Sequence, residues 1–349
     1  MAAWFLRGLR LAVTLVLLLA PARMALAWDA DGHQIVGAIA DSLVSGNAKQ
    51  QVASILGVSL STAGPWLDCV KSVHRYADGT FHYVVEPDYE KPCEPFAKAH
   101  KVMQQYVKRN FFQCSYTSRR KNDDDEVYFE EMGCHNTYHF DDVAIQRNRF
   151  DRNFEGTNDH DIVAAINAAV AVLRGRPSPT PFKIADQREA LFMLAHLVGD
   201  LHQPLHVAAV YLDGNGSLVD PDITHTIDPA SETVGGNILY DNHKNFHGAW
   251  DAPPNGMKVE QALDLLPAAR SVATLTGPVE DWAAQWASDT IAIAPKAFAG
   301  ATYLKRTEGG WDITIPNHSA YDAARDDLKR DQLAKAGARL AQLLNTIWP

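Results

Sequence analysis

Residues 191–206, LFMLAHLVGDLHQPLH, are almost continuously apolar over their first two thirds, which predicts a buried helix. His196 and Asp200 interrupt that run four residues apart, so a helix places both on one face. Pro204 stops the helix, and His206 follows in the turn beyond it. A period near 3.6 recurs in 29–56 through Ile35, Val36, Ile39, Ala40, Leu43 and Val44. A short helix at 66–73 carries Asp68. Further helices are predicted over the Ala-rich 161–173, over 259–273 and 278–298, and over 320–348 with Leu333, Ala336, Leu340 and Leu343. Alternation predicts strands at 81–85 and 138–143, a small ribbon or hairpin. The charged stretch 119–126 and the Asp-, Gly-, Pro- and Thr-rich 211–234 read as surface loops. No internal repeat stands out. The expectation is a mainly α, single helical domain with little sheet.

The amino terminus adds an export address. Arg7 and Arg10 precede an apolar run over 11–20, and Ala25-Leu26-Ala27 closes the segment, which predicts a secretory signal cleaved after Ala27. Residues 28–349 are then expected to form a single domain that is secreted or periplasmic. The apolar run is too short to span a bilayer comfortably, and no membrane anchor is expected. Loss of Arg7, Arg10 and Arg23 with the signal takes the net charge from −10 to −13. Such an acidic chain argues against wrapping duplex DNA through basic patches. A phosphate-bearing substrate remains compatible, because a bound cation can be the dominant local positive charge. In an exported chain Cys69, Cys93, Cys114 and Cys134 read as two disulfides, with three pairings open and spacings too wide for a zinc knuckle.

The candidate chemistry lies in the ligand-type residues that sit in apolar or structured surroundings. A second His-x-x-x-Asp, His247 to Asp251 in NFHGAWD, follows the turn Gly235-Gly236-Asn237. His318 and Asp322 repeat the spacing in a polar context and read as a solvated helix start. His33, Asp68, His139, His196, Asp200, His206, His247 and Asp251 supply five imidazoles and three carboxylates, a donor set that suits zinc and more than one ion. A helix-capping Asp and hydrogen-bonded core histidines are the alternative for the 191–206 stretch taken alone.

The segments AHLVGDLHQPLH, GGN and NFHGAWD, a mature terminal Trp with Gly-His following, and the closing QLAKAGARLAQLLN resemble the zinc-dependent single-strand-specific nucleases. That family includes mung bean nuclease and its fungal and bacterial relatives and shares its fold with zinc phospholipase C. The resemblance implies three zinc ions. One is held by Asp68, an aromatic-flanked His, His196 and Asp200. A second is held by His206, His247 and Asp251. The third is held by His33, Asp200 and the amine and carbonyl of Trp28. Phe81-His82-Tyr83 and Tyr138-His139-Phe140 both fit the aromatic-flanked His. His82 has the family-like distance from Asp68, whereas His139 has the family-like distance to the Ala-rich helix and keeps an acid three residues on, at Asp142; His139 is the choice. With His139 chosen, a Cys69–Cys134 bridge ties the Asp68 helix to the His139 strand, leaving Cys93–Cys114.

The same resemblance implies hydrolysis of single-stranded DNA and RNA to 5′-phosphate products, with 3′-nucleotidase activity. Asp68 would orient or deprotonate the attacking water, and Lys71 stands where the family carries an Arg. Phe140, Asp142 and Asn237 fall at base-binding positions. Nucleic acid strands and nucleotides are the expected partners of a monomer. A zinc phospholipase C is the alternative enzyme, and a zinc-stapled binding protein the alternative class. Asn215-Gly216-Ser217 and Asn317-His318-Ser319 match glycosylation sequons.

Overall fold

The computed structural model describes residues 28–85, 87–121 and 127–349. The predicted signal segment, residues 1–27, lies outside the described residues. Helices dominate. The 29–56 pattern resolves into two of them, Ala30–Leu43 and Gly46–Leu56, separated at Val44 and Ser45 where the backbone becomes extended. Asp29 caps the first by accepting from Gly32 N–H at 3.0 Å. The last helix, His318–Ile347, runs 30 residues and packs on Ala30–Leu43. Gly337 allows that approach, since a Cβ there would stand 2.5 Å from the Ile39 side chain.

Helix Gln187–Asp200 is the centre of the molecule. Asp186 caps it through Glu189 N–H at 2.9 Å, and every residue from Glu189 to Asp200 is buried. A helix apolar on all sides has to be enclosed. Ile162–Leu173 packs along it, and Ala30–Leu43, Trp66–Lys71 and the last helix close the remaining sides. One hydrophobic cluster runs through all of these elements.

Sheet is confined to small pieces. Leu239–Asp241 lies parallel to Trp311–Thr314 in a four-stranded sheet, and Val73–Arg75 pairs antiparallel with Phe81–Tyr83. The insertion after His206 contains the short paired strands Tyr211–Leu212 and Leu218–Val219 and one helical turn, Pro221–Thr224. Among the described residues no helix is long and apolar enough to cross a membrane.

Four expectations are corrected. Tyr138 and His139 end a 3-10 helix, Cys134–His139, and only Val143–Ala144 is strand. The apolar–polar alternation there comes from a tight turn that buries Tyr138 against Phe182. The charged stretch after 118 is partly strand: Tyr116–Lys121 pairs with Val127–Met132, and 122–126 lies outside the described residues. A free two-stranded ribbon has no need of a continuous apolar face, so polarity did not betray it. Residues 259–273 are a 3-10 helix, Val259–Leu265, followed by the short α-helix Leu266–Arg270. The disulfides are Cys69–Cys93 and Cys114–Cys134, in place of the nested pairing. The ribbon register, Tyr116 opposite Met132, carries on to set Cys114 opposite Cys134. Cys69 instead meets Cys93 where helices Trp66–Lys71 and Glu90–Ala97 pack. Two disulfides fit an exported protein.

Candidate metal centre

Helix Gln187–Asp200 carries the first pair into the interior. One turn apart, His196 Nε2 lies 3.1 Å from Asp200 Oδ2. His196 Nδ1 is 2.8 Å from the Gly64 carbonyl. A carbonyl only accepts, so Nδ1 carries the proton and Nε2 presents its lone pair to the centre. Trp66–Lys71 delivers Asp68, whose Oδ1 lies 3.7 Å from His196 Nε2. The 3-10 turn delivers His139, with Nδ1 3.0 Å from Asp200 Oδ2 and 3.1 Å from His196 Nε2. Helix Ala30–Leu43 delivers His33, stacked on His196 at 3.7 Å with Nε2 3.3 Å from Asp200 Oδ1.

The second group forms beyond the helix end. Pro204–His206 and Phe246–Asp251 place His206 Nε2 only 3.1 Å from His247 Nε2. His206 Nδ1 donates to the His139 carbonyl at 2.9 Å, and His247 Nδ1 donates to the Gly235 carbonyl at 2.6 Å. Gly235 has φ +57°, a conformation that favours glycine and aims its carbonyl at the ring. Both Nε2 atoms are then bare and face each other, an arrangement that requires a cation or a shared proton between them. Asp251 completes the group, 3.7 Å from His206 Nε2 and 3.4 Å from His247 Nε2.

Ligand atoms of His33, His196 and Asp200, of Asp68, His139 and His196, and of His206, His247 and Asp251 lie within 4.8 Å of one another in each group. All eight side chains are buried. Among the described residues, His33 Nδ1 and Nε2, His139 Nε2, Asp68 Oδ2, Asp200 Oδ1 and Asp251 Oδ2 are buried with no hydrogen-bond partner. Each such orphan costs about 1–3 kcal/mol, so this concentration fits a site built to hold cations. Burial holds His33 and His139 well below the usual imidazole range and also lowers His247, which keeps these donors neutral. Burial opposes ionisation of Asp200, but His196, His33 and His139 outweigh it and hold the carboxyl well below the usual carboxylate range. His206 differs. Burial lowers it, yet Asp251 and Asp200 together raise it above the ordinary value.

The other expected residues surround these groups. Lys71 Nζ lies 2.9 Å from Asp68 Oδ1. Trp28 is buried, with its indole N–H donating to Gly199 O at 3.0 Å, and Asp29 N–H donates to Asp251 O at 3.0 Å. The start of the described chain therefore passes between the two groups. Phe140 is partly exposed beside His139. Asp142 carries its carboxyl near Gly235 N–H; burial, then Glu232, pushes it up to about 7. Asn237 anchors the same turn, donating to Val234 O at 2.8 Å. His82 lies elsewhere, exposed on the Phe81–Tyr83 strand against Thr80 and Tyr76.

A family model described as S1/P1 Nuclease matches residues 28–127 and 114–349, which together span every residue from Trp28 onward. The chain belongs to the S1/P1 nuclease family. Among curated relatives it is similar to three Arabidopsis thaliana proteins. Endonuclease 1 is 22% identical over 363 aligned residues, covering 100% of this chain and 96% of the relative. Endonuclease 4 is 23% identical over 345 residues, 93% of this chain and 90% of the relative. Endonuclease 5 is 23% identical over 250 residues, and that match covers 69% of this chain and 59% of the relative. The two family-model segments overlap over 114–127, which falls in the Cys114–Cys134 ribbon.

Three buried polar side chains around these groups escaped the sequence reading. Gln203 is buried, accepts from Leu205 N–H at 2.6 Å and donates to Asp251 Oδ1 at 2.7 Å, which leaves Oδ2 for a cation. Its signal was in view, a polar residue inside LHQPLH. Lys329 is buried and donates to the carbonyls of Ala249 and Ala252 at 2.6 and 2.8 Å, pinning the helix that carries His247 and Asp251. His135 is buried near Lys71, with its pKa lowered to about 3 by burial and then by Lys71. Nothing in the local sequence marks Lys329 or His135.

Proposed function

We propose that this chain is an exported phosphodiesterase with one catalytic domain, residues 28–349. It hydrolyses single-stranded DNA and RNA to 5′-phosphate products through three zinc ions, and also acts as a 3′-nucleotidase. The observation that carries the reading is the pair of bare, facing Nε2 atoms of His206 and His247 beside the orphaned oxygen of Asp251. Asp68, His139, His196 and Asp200 would hold one ion; His206, His247 and Asp251 a second. His33, Asp200 and the amine and carbonyl of Trp28 would hold the third. Zinc bound there would supply Lewis acidity, bringing water ionisation toward neutral pH and neutralising phosphoryl charge.

The chain's own groups do the rest. Asp68 has one oxygen on Lys71 and the other without a partner, which suits it to orient the attacking water or take its proton. Lys71 would neutralise the phosphate, as a point charge without the fork an arginine offers. Phe140 would stack on a base, with Asp142 and Asn237 at the base's polar edge. A base must leave its pair to stack, which selects single strands. The relatives' printed names, endonucleases, support this substrate class.

The test is a hydrolysis panel on single-stranded DNA, RNA, a 3′-nucleotide and phosphatidylcholine, each with and without chelator. Chelator-sensitive cleavage of the first three is expected. Activity confined to phosphatidylcholine would replace this reading by a phospholipase, and activity indifferent to chelator would remove the metals from it.

A further inference from the structure

The chain is acidic overall, with net charge −10, yet between Glu94 and Asp123 it carries seven Lys and Arg and no acidic residue. Helix His100–Asn110 buries Met103, Tyr106, Val107 and Asn110 and turns Lys101, Gln105 and Lys108 outward on one face. Two residues past its end Phe112 stands 55% exposed. The Arg75 guanidinium lies over that ring at 5.1 Å from its centroid and over Phe111 at 5.7 Å. Arg75 ends strand Val73–Arg75, four residues beyond Lys71, at most about 14 Å of extended chain. Among the described residues it pairs with Glu131 at 3.9 Å, both side chains well exposed, a pair weak enough to exchange for a phosphate.

We propose that this ridge, Lys101 to Lys108 to Phe112 to Arg75, is a docking surface for single-stranded nucleic acid that leads a strand to the Lys71 side of the metal centre. The proposal extends the hydrolytic reading above from the scissile phosphate to the strand flanking it. The cations follow the backbone, and the Arg75–Phe112 pair offers a π-face on which any base can stack, the combination that binds single strands without reading sequence. A duplex can meet the cations but cannot offer a base to the ring, because its bases are stacked on each other. Cations set beside an exposed, Arg-covered aromatic ring favour a polyanion that also carries unpaired bases over a second copy of this chain as the occupant.

The experiment measures binding of the metal-loaded protein to a fluorescent, hydrolysis-resistant phosphorothioate oligothymidylate and to its dinucleotide, alongside hydrolysis of the ordinary strand. Phe112→Ala should weaken binding of the long strand at least about fivefold, the lower end of one base–aromatic stack, and leave the dinucleotide unchanged. Arg75→Gln with Lys108→Gln should flatten the slope of log affinity against log salt by roughly 1.4, about 0.7 for each phosphate that is no longer neutralised. Unchanged thermal midpoints would show that these exposed positions leave the fold intact. Long-strand affinity that is unaffected, or reduced equally for both ligands, overturns the ridge. So does an effect of the variants on self-association or on binding to phosphatidylserine vesicles without one on the long strand. Ridge-dependent binding in a protein that hydrolyses none of these substrates would instead leave the ridge standing and sink the hydrolytic reading.

Discussion

Of the chain's four His-x-x-x-Asp pairs, three show how differently the structure treats one spacing. His196–Asp200 and His247–Asp251 are buried, with Nε2 to carboxylate distances of 3.1 and 3.4 Å. In each, a backbone carbonyl from a distant element fixes Nδ1, Gly64 for His196 and Gly235 for His247. His318 and Asp322 start the last helix half-exposed and turn to other partners, Asp241 at 3.5 Å and Arg325 at 2.9 Å. The spacing is common to all three. What separates the buried pairs from the surface pair is enclosure, together with a carbonyl that decides which ring nitrogen is free.

The largest effect tests the carboxylate that faces His33, His139 and His196 together. Asp200→Asn should lose at least one zinc and reduce hydrolysis by more than about a hundredfold, beyond the loss expected for an outer partner. Elemental analysis showing full metal content would break the distinction between buried and surface pairs, and the equivalent Asp322→Asn should change nothing. Next, His139→Ala should abolish activity while His82→Ala leaves most of it, measured on single-stranded DNA. The opposite pattern would move the first group to the exposed strand.

A third test concerns the chain start that passes between the two groups. Protein that begins at Trp28 should bind three zinc ions, and protein with one residue added before it should bind two and be strongly impaired. An amide has no lone pair to replace the amine. Equal zinc content in the two forms would reduce Trp28 to a buried indole. Gln203→Leu should follow, with metal affinity at the second group down about 10–100-fold and the first group unaffected, read by chelator competition.

The smallest effect is on stability. Burial, then Glu232, raises Asp142 to about 7, so ionising it costs folding free energy. A raised folded pKa contributes stability that is full below the unfolded value near 3.8 and is lost as pH climbs through about 7. Asp142→Asn should therefore raise the melting temperature at pH 8 by a few degrees and leave it unchanged near pH 4. A gain of equal size at both pH values would mean that the carboxyl's charge is not what costs stability.

The helical core was largely legible, because the 191–206 and 161–173 stretches carry more apolar residues than any exposed element can. The ligand types were legible too. A carboxylate or imidazole inside such a run is costly enough to need a reason. The region from Cys69 to Cys134 resisted reading. Its ribbon has no apolar stripe, and the ridge along helix His100–Asn110 is masked by the acidity of the chain as a whole.

By itself the sequence determined which segments must be enclosed and which side chains would be carried inside with them, since both follow from the local order of apolar and polar residues. Only the tertiary structure decided which of the two aromatic-flanked histidines meets Asp200, which cysteines pair, and that Lys329 braces the helix of His247 and Asp251. Those outcomes depend on distances between elements tens of residues apart. Such distances are set by packing and strand register, which no local pattern records.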